Sequence, residues 1–154
     1  MASQKDIIAI LEKLNLPLDI REFPQSTKTS KEAAEAIGCE VEQIGKSIVF
    51  KGKNTGKAYL VVASGKNRIN ERKLEEIVGE PVEKGTPGFV REKTGFEIGG
   101  VPPFGHREKL RTFVDEDLLA FQEIWCAGGT SHTVFRITPQ DLLRATGGVI
   151  ISVK

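Results

Sequence analysis

The run Gly99-Gly100-Val101-Pro102-Pro103-Phe104-Gly105-His106 has few reactive side chains, yet its main chain could hold a small polar group. The two prolines fix φ at about −65° and remove two N–H donors, while the glycines let a ligand approach the backbone closely. Such a stretch presents N–H and C=O groups at a fixed angle. The pattern is also typical of a tight connection between two elements, and this stretch alone leaves both interpretations open.

Lys46 follows Gly45 at the start of an apolar run that predicts a buried strand. A compact ammonium at a strand end could hold a phosphate, although a single lysine in such a place is more often an ordinary surface residue. Neither the residues around Lys46 nor Gly99-Gly100 fit the pattern GxxxxGK[ST] ahead of a helix. A phosphate bound here would therefore not be that of a P-loop nucleotide.

Side-chain nucleophiles and metal ligands are poorly spaced. The chain has no GxSxG, and Ser131 and His132 are neighbours, so on one strand their side chains would point to opposite faces. Cys126 and His132 could pair across a hairpin as a thiol hydrolase, but Cys126 lies beside Trp125 in an apolar strand, which favours inert packing. His106 and His132 have no acidic residues at ligand spacing. We predict no metal and no cofactor.

The charge of the chain is balanced overall but uneven along it. Twenty-two basic residues against twenty-one acidic ones give a formal net charge of +1, so no global field attracts a polyanion. Between Lys46 and Lys73, however, eight residues are basic and one, Glu71, is acidic. This stretch is either a solvated face or a surface that contacts nucleic acid. The candidates for such a contact are Lys51, Lys53, Lys66, Arg68 and Lys73.

Two features bear on where the protein works. Cys39 and Cys126 fall in different predicted elements and show no ligand or disulfide spacing, which favours reduced thiols. The sequence has no charged-then-apolar leader and no apolar run of the ~20 residues that cross a bilayer. We expect a soluble, cytoplasmic protein with no membrane partner.

The elements that must position these residues alternate between short helices and extended runs. Residues 47–51 and 58–63 predict two buried strands joined by a glycine-containing hairpin turn, and a helix over 31–37 is closed by Gly38. Four further helices are predicted, one before Pro17 and one each after Asn70, Thr86 and Thr138, and a short acidic helix is predicted over 115–121. Further strands are predicted over 18–23, 111–114, 124–127, 133–137 and 149–153.

This mixture predicts one α+β domain over residues 1–154. Its sheet is expected to be mixed and mainly antiparallel, curled towards a barrel, with short helices around it.

Three motifs follow one another in order along the chain. They are Ile44-Gly45-Lys46-Ser47-Ile48-Val49-Phe50-Lys51, then Gly99-Gly100-Val101-Pro102-Pro103-Phe104-Gly105, and then Gly128-Gly129 through His132-Thr133-Val134-Phe135 to Thr138-Pro139-Gln140-Asp141-Leu142. Together they resemble the YbaK/prolyl-tRNA synthetase editing-domain family over nearly the whole chain. The resemblance implies a mixed α/β fold and a deacylase that hydrolyses the ester between a wrong amino acid and tRNA, most often tRNA for proline.

The same resemblance assigns roles to individual residues. It places the essential lysine of the family at Lys46, on the phosphate backbone of the terminal adenosine, and makes Gly99 and Pro103 the ends of the GxxxP element beside the aminoacyl group. His132 falls at a pocket position, and Ser47 stands where the alanine-specific branch usually has asparagine, which leaves the removed amino acid open. The other implied substrate-binding residues are Gly100, Val101, Pro102, Gly128 and Gly129.

The resemblance also implies the chemistry. In the family a water molecule attacks the ester with help from the terminal ribose hydroxyl and from backbone groups, and no covalent enzyme intermediate forms. Fixed donors suit such a reaction because an aminoacyl ester is already activated. We therefore expect trans-editing of mischarged tRNA, with prolyl-tRNA synthetase as a candidate partner. The alternative is a non-catalytic module that binds a nucleotide or aminoacyl-adenylate or docks on a synthetase.

Overall fold

A mixed sheet of eight strands lies at the centre of the structure, a computed structural model that describes residues 4–154, with side chains from residue 7 onward. The strands are β1 Ile20–Glu22, β2 Ile44–Gly52, β3 Ala58–Ser64, β4 Val82–Lys84, β5 Arg111–Asp115, β6 Ile124–Ala127, β7 Thr133–Ile137 and β8 Val149–Ile151. The helices are α1 Gln4–Lys13, α2 Ser30–Ile37, α3 Glu71–Val78, α4 Pro87–Thr94 and α5 Pro139–Thr146.

The strand order is β1-β7-β6-β2-β3-β5-β8, with β4 beside β2. The pairs β2/β6, β3/β5 and β5/β8 are parallel, and the other four pairs are antiparallel. This confirms the predicted class of fold, with its mixed and mainly antiparallel sheet surrounded by short helices. The sheet is open rather than closed into a barrel, since β1 and β8 stand at its two edges.

The two edges of β2 are paired differently. One edge is paired with β3 along nearly its whole length, from Gly45 opposite Ser64 to Lys51 opposite Ala58. The other edge is divided, because β6 pairs only with Ile44 and Gly45 while β4 pairs only from Phe50 onward. The segment 46–49 therefore lies at a split in the sheet, between the end of one neighbour and the start of the other.

Local sequence signals set the ends of the helices. Thr29 and Glu32 form a capping box at the start of α2, and Gly38 ends that helix with φ of 84°, in the left-handed region that favours glycine. Pro87 and Pro139 stand in the first turn of α4 and α5, where a missing N–H costs no helical hydrogen bond. These helices lie where the sequence predicts them.

The core occupies both faces of the central hairpin. Val49 and Leu60 pack on one face, and Phe50 and Tyr59 pack on the other. A third cluster lies under α2, where Ala33 and Ala34 meet Trp125. Burial of the hairpin on both faces, expected from its nearly continuous apolar sequence, is confirmed.

The structure departs from the predicted elements in three places. β2 begins at Ile44, so Lys46 is its third residue and not a residue ahead of it. β4 is not indicated by the sequence, because its three residues carry no strong strand signal and become extended by pairing with β2. The acidic segment forms a 3₁₀ helix over Glu116–Ala120 rather than an α-helix. No helix in the described part of the chain is long and apolar enough to cross a membrane.

Candidate active site

A cavity of about 510 Å³ opens at the split edge of β2. Most of its lining comes from four places: residues 27–31 leading into α2, residues 44–48 of β2, residues 98, 99 and 101, and residues 125–127 of β6. Lys46 and Gly99, which the three motifs assign to one site, therefore line the same cavity.

Lys46 extends from β2 into this cavity and is half-buried. Burial lowers the pKa of its ammonium below the usual value, the nearby charge of Lys84 lowers it further, and the carboxylate of Asp115 opposes both effects. The charged ammonium of Lys46 has thus lost part of its hydration, and the carboxylate of Asp115 does not fully make up for that loss. An anion placed in the cavity would stabilise the ammonium.

The cavity is lined by cations without anions. Lys28, Lys31 and Lys46 all contribute to its lining, and no aspartate or glutamate from residue 7 onward does so. None of the three forms an ion pair with a carboxylate among the residues whose side chains are described. Such an arrangement favours an anionic ligand, and the compact charge of a lysine ammonium suits a phosphate.

Gly99 forms the wall opposite β2. Its φ of 91° is a backbone conformation that residues with a side chain rarely adopt, and a Cβ at this position would overlap the Cγ of Lys28. The aliphatic part of Lys28 thus lies directly against Gly99. The glycine is required both by its conformation and by this contact.

Gly100 connects two loops rather than facing the cavity. Its N–H donates to the carbonyl of Glu97 (3.0 Å), and its carbonyl accepts from the N–H of Gly129 (2.9 Å). A Cβ at Gly100 would lie only 2.8 Å from the backbone of Thr130. The expectation that this glycine pair offers free backbone groups is therefore wrong for Gly100, because its N–H is used within its own loop and its carbonyl is used by the second loop.

The proline pair is held from the side away from the cavity. The Nε2 of His106 donates to the carbonyl of Pro102 at 2.6 Å, and burial lowers the pKa of His106 more than this hydrogen bond raises it. Pro103 lines a separate cavity of about 190 Å³ with Phe104 and His106. Gly99 and Pro103, the two ends of the GxxxP element, thus face different cavities.

Ser47 lies where the main cavity meets a smaller one of about 220 Å³. Its Oγ is buried and has no hydrogen-bond partner among the described residues. The main-chain groups of a strand point alternately to its two edges, and the carbonyl of Val49 accepts from the N–H of Gly85 on the split edge (2.8 Å). Ser47, two residues earlier, therefore directs its own N–H and C=O towards the open part of that edge.

The smaller cavity is mainly apolar. It shares Ser47, Ile48, Ile98, Gly99 and Val101 with the main cavity, and its remaining lining is Val49, Lys84, Gly85 and Val90. A ligand group that entered it would meet mostly aliphatic side chains together with Lys84, and the hydroxyl of Ser47 where the two cavities meet.

The second glycine loop lies next to the site without lining it. Gly128 donates its N–H to the carbonyl of Thr133 (2.8 Å), and Gly129 bonds to Gly100 as described. His132 is exposed, with its Nδ1 2.9 Å from the carbonyl oxygen of Gln25. The structure thus places His132 on the surface and not in the lining of the cavity. It lies beside residues 23–29, which connect β1 to α2 and are here called the entrance loop.

Cys126 is buried, and desolvation raises the pKa of its thiol to about 12. The thiol is neutral at physiological pH and packs against Gly45, where a Cβ would lie 3.0 Å from the Cys126 Sγ. These contacts support the inert packing favoured by the sequence over a thiol nucleophile. Within the described residues, no three His, Cys, Asp or Glu side chains gather as metal ligands.

The basic residues of the sequence-predicted tRNA surface lie outside the cavity lining. Lys51 is half-buried with its ammonium 5.3 Å from the ring centre of Phe89, and Lys53, Lys66, Arg68 and Lys73 are exposed. Sequence reasoning missed Lys28 and Lys31. The available signal was their position on either side of the Thr29 capping residue, which places both at the start of α2.

Comparison with known proteins identifies the family of this domain. A family model described as the aminoacyl-tRNA editing domain matches residues 24–145. The chain belongs to the aminoacyl-tRNA editing domain family. The match covers every segment that lines the main cavity of this editing domain, and it confirms the family resemblance drawn from the three sequence motifs.

Individual relatives of this editing domain extend the match beyond the family model. YwhH of Bacillus subtilis (strain 168), an uncharacterized protein, is 34% identical over 140 residues, which are 91% of this chain and 88% of YwhH. EbsC of Enterococcus faecalis (strain ATCC 700802 / V583), provisionally named a Cys-tRNA(Pro)/Cys-tRNA(Cys) deacylase, is 25% identical over 142 residues, which are 90% of this chain and 86% of EbsC. A solved structure of a protein provisionally named a trans-editing enzyme for prolyl tRNA synthetase superposes with a TM-score of 0.91 and 48% identity, covering 98% of this chain and 96% of the other.

Proposed function

We propose that this chain hydrolyses, in trans, the ester bond of mischarged aminoacyl-tRNA. The observation that carries the proposal is the cavity at the split in the sheet, where Lys46 and Gly99 meet and where the lining is cationic without a carboxylate. A charged tRNA brings an acyl ester and a phosphate in a fixed relation to each other. The cavity offers a place for each of them.

The phosphate of the terminal adenosine is assigned to Lys46. The ammonium lies inside the cavity, partly desolvated, so a phosphate gains more there than it would at a surface lysine. This contact positions the ester without reacting with it. Lys46 is therefore proposed to act by binding, as the resemblance to the family implies.

The aminoacyl group is assigned to the smaller cavity beyond Ser47. Its aliphatic lining and volume of about 220 Å³ favour a small side chain, and the buried Ser47 Oγ is available to the amino acid. A pocket of this kind excludes a larger or differently shaped residue by steric contact, since one methylene more or less is worth only ~1–3 kcal/mol.

Water is proposed to attack the ester carbonyl, with the terminal ribose hydroxyl of the tRNA assisting. The cavity lining has no histidine and no carboxylate that could act as a base, and its thiol is neutral. The N–H of Ser47, directed to the open edge, is suitably placed to stabilise the oxyanion that forms. Catalysis of this kind depends on positioning and needs no covalent intermediate.

The names of two relatives support a narrower substrate. EbsC is named for Cys-tRNA(Pro) and Cys-tRNA(Cys), and the 48% identical neighbour for trans-editing with prolyl tRNA synthetase. We therefore assign tRNA for proline carrying a small wrong amino acid as the substrate of this chain. Prolyl-tRNA synthetase is then a candidate partner, and the cytoplasm, where tRNA is charged, is the place of action.

A deacylation panel tests the proposal. Proline-specific tRNA is charged in separate samples with alanine, cysteine, serine, threonine and proline, and the loss of ester is followed with and without the protein. We expect accelerated hydrolysis of at least one wrong ester and no acceleration with proline. Hydrolysis of none of them above the uncatalysed rate, together with a nucleotide that raises the melting temperature, would establish a binding module instead.

A further inference from the structure

Lys28 is fixed at the mouth of the main cavity by contacts on both sides. The preceding residue, Thr27, donates to the carbonyl of Ser131 from its N–H (2.7 Å) and from its Oγ1 (3.1 Å), which anchors the entrance loop to the loop after β6. The stem of Lys28 then lies against Gly99 on the opposite wall. The backbone next to Lys28 and the stem of its side chain are thus both fixed, while its ammonium forms no ion pair with the described carboxylates.

No carboxylate neutralises this end of the cavity within the described structure. Glu32 is the nearest acid in the chain, and it belongs to the capping box: its Oε1 accepts from the N–H and the Oγ1 of Thr29 (3.3 and 3.0 Å). Lys31, which precedes it, lines the same mouth as Lys28, and both lysines are exposed. Lys28 and Lys31 therefore contribute positive charge at the exposed part of the lining, here called the outer centre, whereas Lys46 contributes it from a half-buried position.

Two positive centres at different depths match the chemistry of a polynucleotide end. An RNA strand that enters with its 3′ terminus first carries one phosphate for each nucleotide, so the phosphate before the terminal one lies further out. A mononucleotide has no group for the outer centre. The outer centre is thus expected to distinguish a strand from a free nucleotide.

We propose that Lys28 and Lys31 bind the phosphate that precedes the one assigned to Lys46, so that the site takes the last two nucleotides of an RNA 3′ end. The proposal rests on the proposed function and adds a specific subsite to it. It explains why the stem of Lys28 is held against Gly99, since this contact keeps the outer centre at a fixed distance from the ester.

The test compares two minimal substrates that carry the same wrong amino acid, one an ester of pA and the other an ester of pCpA. For the wild-type protein we expect kcat/KM to be about tenfold higher or more for the ester of pCpA, in line with a phosphate held by charged hydrogen bonds. In the variant Lys28→Met/Lys31→Met this ratio should fall towards one. Methionine keeps the unbranched stem against Gly99 and removes the charge.

A matched control removes the same amount of charge elsewhere. Lys13 and Lys57 are exposed and do not line the cavity, so Lys13→Met/Lys57→Met should keep the wild-type ratio. In Lys28→Met/Lys31→Met the dependence of kcat/KM on salt for the ester of pCpA should also weaken, by about 0.7 in the log–log slope for each phosphate that the protein ceases to neutralise. An unchanged ratio and slope in this variant would overturn the proposal.

Failure of the proposed function gives a different result from failure of this subsite. If no ester is hydrolysed by the wild-type protein, the affinities of uncharged pA and pCpA are measured by competition. Tighter binding of pCpA that is abolished in Lys28→Met/Lys31→Met would support the outer subsite without catalysis. Equal affinities of the wild-type protein for pA and pCpA would refute the outer subsite.

Discussion

Ser47 carries a buried hydroxyl that the protein itself does not satisfy. Buried polar atoms in native proteins almost always have a hydrogen-bond partner, because an unpaired one costs about 1–3 kcal/mol. The Oγ of Ser47 has none among the described residues, although its neighbour across the hairpin strands, Val62, is fully packed. Its position between the two cavities points to a ligand as the missing partner.

Replacing Ser47 should therefore separate stability from function. In Ser47→Ala we expect an unchanged or higher melting temperature, because the unpaired hydroxyl is removed, and about a tenfold lower kcat/KM for the preferred wrong ester. Thermal unfolding and deacylation of the same preparation measure the two effects.

Ser64→Ala is the matched control, since the Oγ of Ser64 does have a partner, the carbonyl of Glu42 at 2.8 Å. This variant should lose about 1–3 kcal/mol of the free energy of unfolding. Equal destabilisation in the two variants would show that the Ser47 hydroxyl is satisfied within the protein.

At the scale of elements, the loop around Gly99 acts as one wall of the site. The loop is held by bonds from Gly100 to Glu97 and Gly129, and by His106 from behind. Its shape depends on the left-handed conformation of Gly99 and on the stem of Lys28 packed against it. Both would be disturbed by a single methyl group.

Gly99→Ala is accordingly expected to lose about 1–3 kcal/mol of stability from backbone strain and most of the deacylation activity, because the wall moves relative to Lys46. Gly88→Ala is the control: Gly88 lies in α4, and a Cβ there would have open space. That variant should be neutral or more stable by ~0.5–1 kcal/mol, with normal activity. Normal activity in Gly99→Ala would exclude the loop from the site.

The far end of the β2–β3 hairpin depends on one carboxylate. Glu80 accepts hydrogen bonds from the N–H groups of Asn54 and Thr55 (both 3.0 Å) and from the hydroxyls of Thr55 and Tyr59 (both 2.6 Å). The hydroxyls of Thr55 and Tyr59 are the main cause that lowers the pKa of Glu80 to about 2. The carboxylate holds the turn that positions the two central strands.

This pKa predicts how stability changes with pH. Because the folded value lies below the unfolded one, the contribution of Glu80 is complete above about pH 4.5 and is lost as the pH falls towards about 2. Glu80→Gln should therefore melt below the wild type at pH 7, and the difference should shrink across that window. Glu76→Gln, an exposed carboxyl on α3, should follow the wild type at every pH. A constant difference between Glu80→Gln and the wild type would contradict the assignment.

For the whole molecule, the position of the site follows from the topology of the sheet. β6 leaves the edge of β2 after Gly45 and β4 joins it only at Phe50, so residues 46–48 of a central strand have no neighbouring strand on this edge and line the main cavity. Ligands commonly bind in sheets where neighbouring strands diverge. Lys46 and Ser47 lie in that gap because of their place along β2, and Gly99 is brought to it by the loop that follows α4.

Local signals in the sequence predicted the class of fold and most elements, and the resemblance of the three motifs predicted the family. Gly38, Pro87 and Pro139 act through their own backbone chemistry, which can be read without a structure. The strand β4 and the engagement of both backbone groups of Gly100 depend on partners far along the chain. Local patterns contain no information about them.

The residues that the motifs assign to the site lie in several places in the structure. Lys46, Ser47 and Gly99 could be assigned from the motifs, and the structure brings all three to one cavity. Lys28 was missed because only the folded chain places the entrance loop against Gly99. Pro103 and His132 were expected beside the substrate, yet Pro103 lines the separate cavity that it shares with His106, and His132 is exposed with its ring against the carbonyl of Gln25.

The most direct test of the account is single-turnover deacylation of the preferred mischarged tRNA by Lys46→Ala, beside the wild type and Lys57→Ala. Lys57 lies at the far end of the β2–β3 hairpin, outside the cavity lining, and serves as the control for removal of charge. The account predicts a rate about 10- to 100-fold lower in Lys46→Ala, at an undiminished melting temperature, and a normal rate in Lys57→Ala. A wild-type rate for Lys46→Ala on every mischarged tRNA would contradict it.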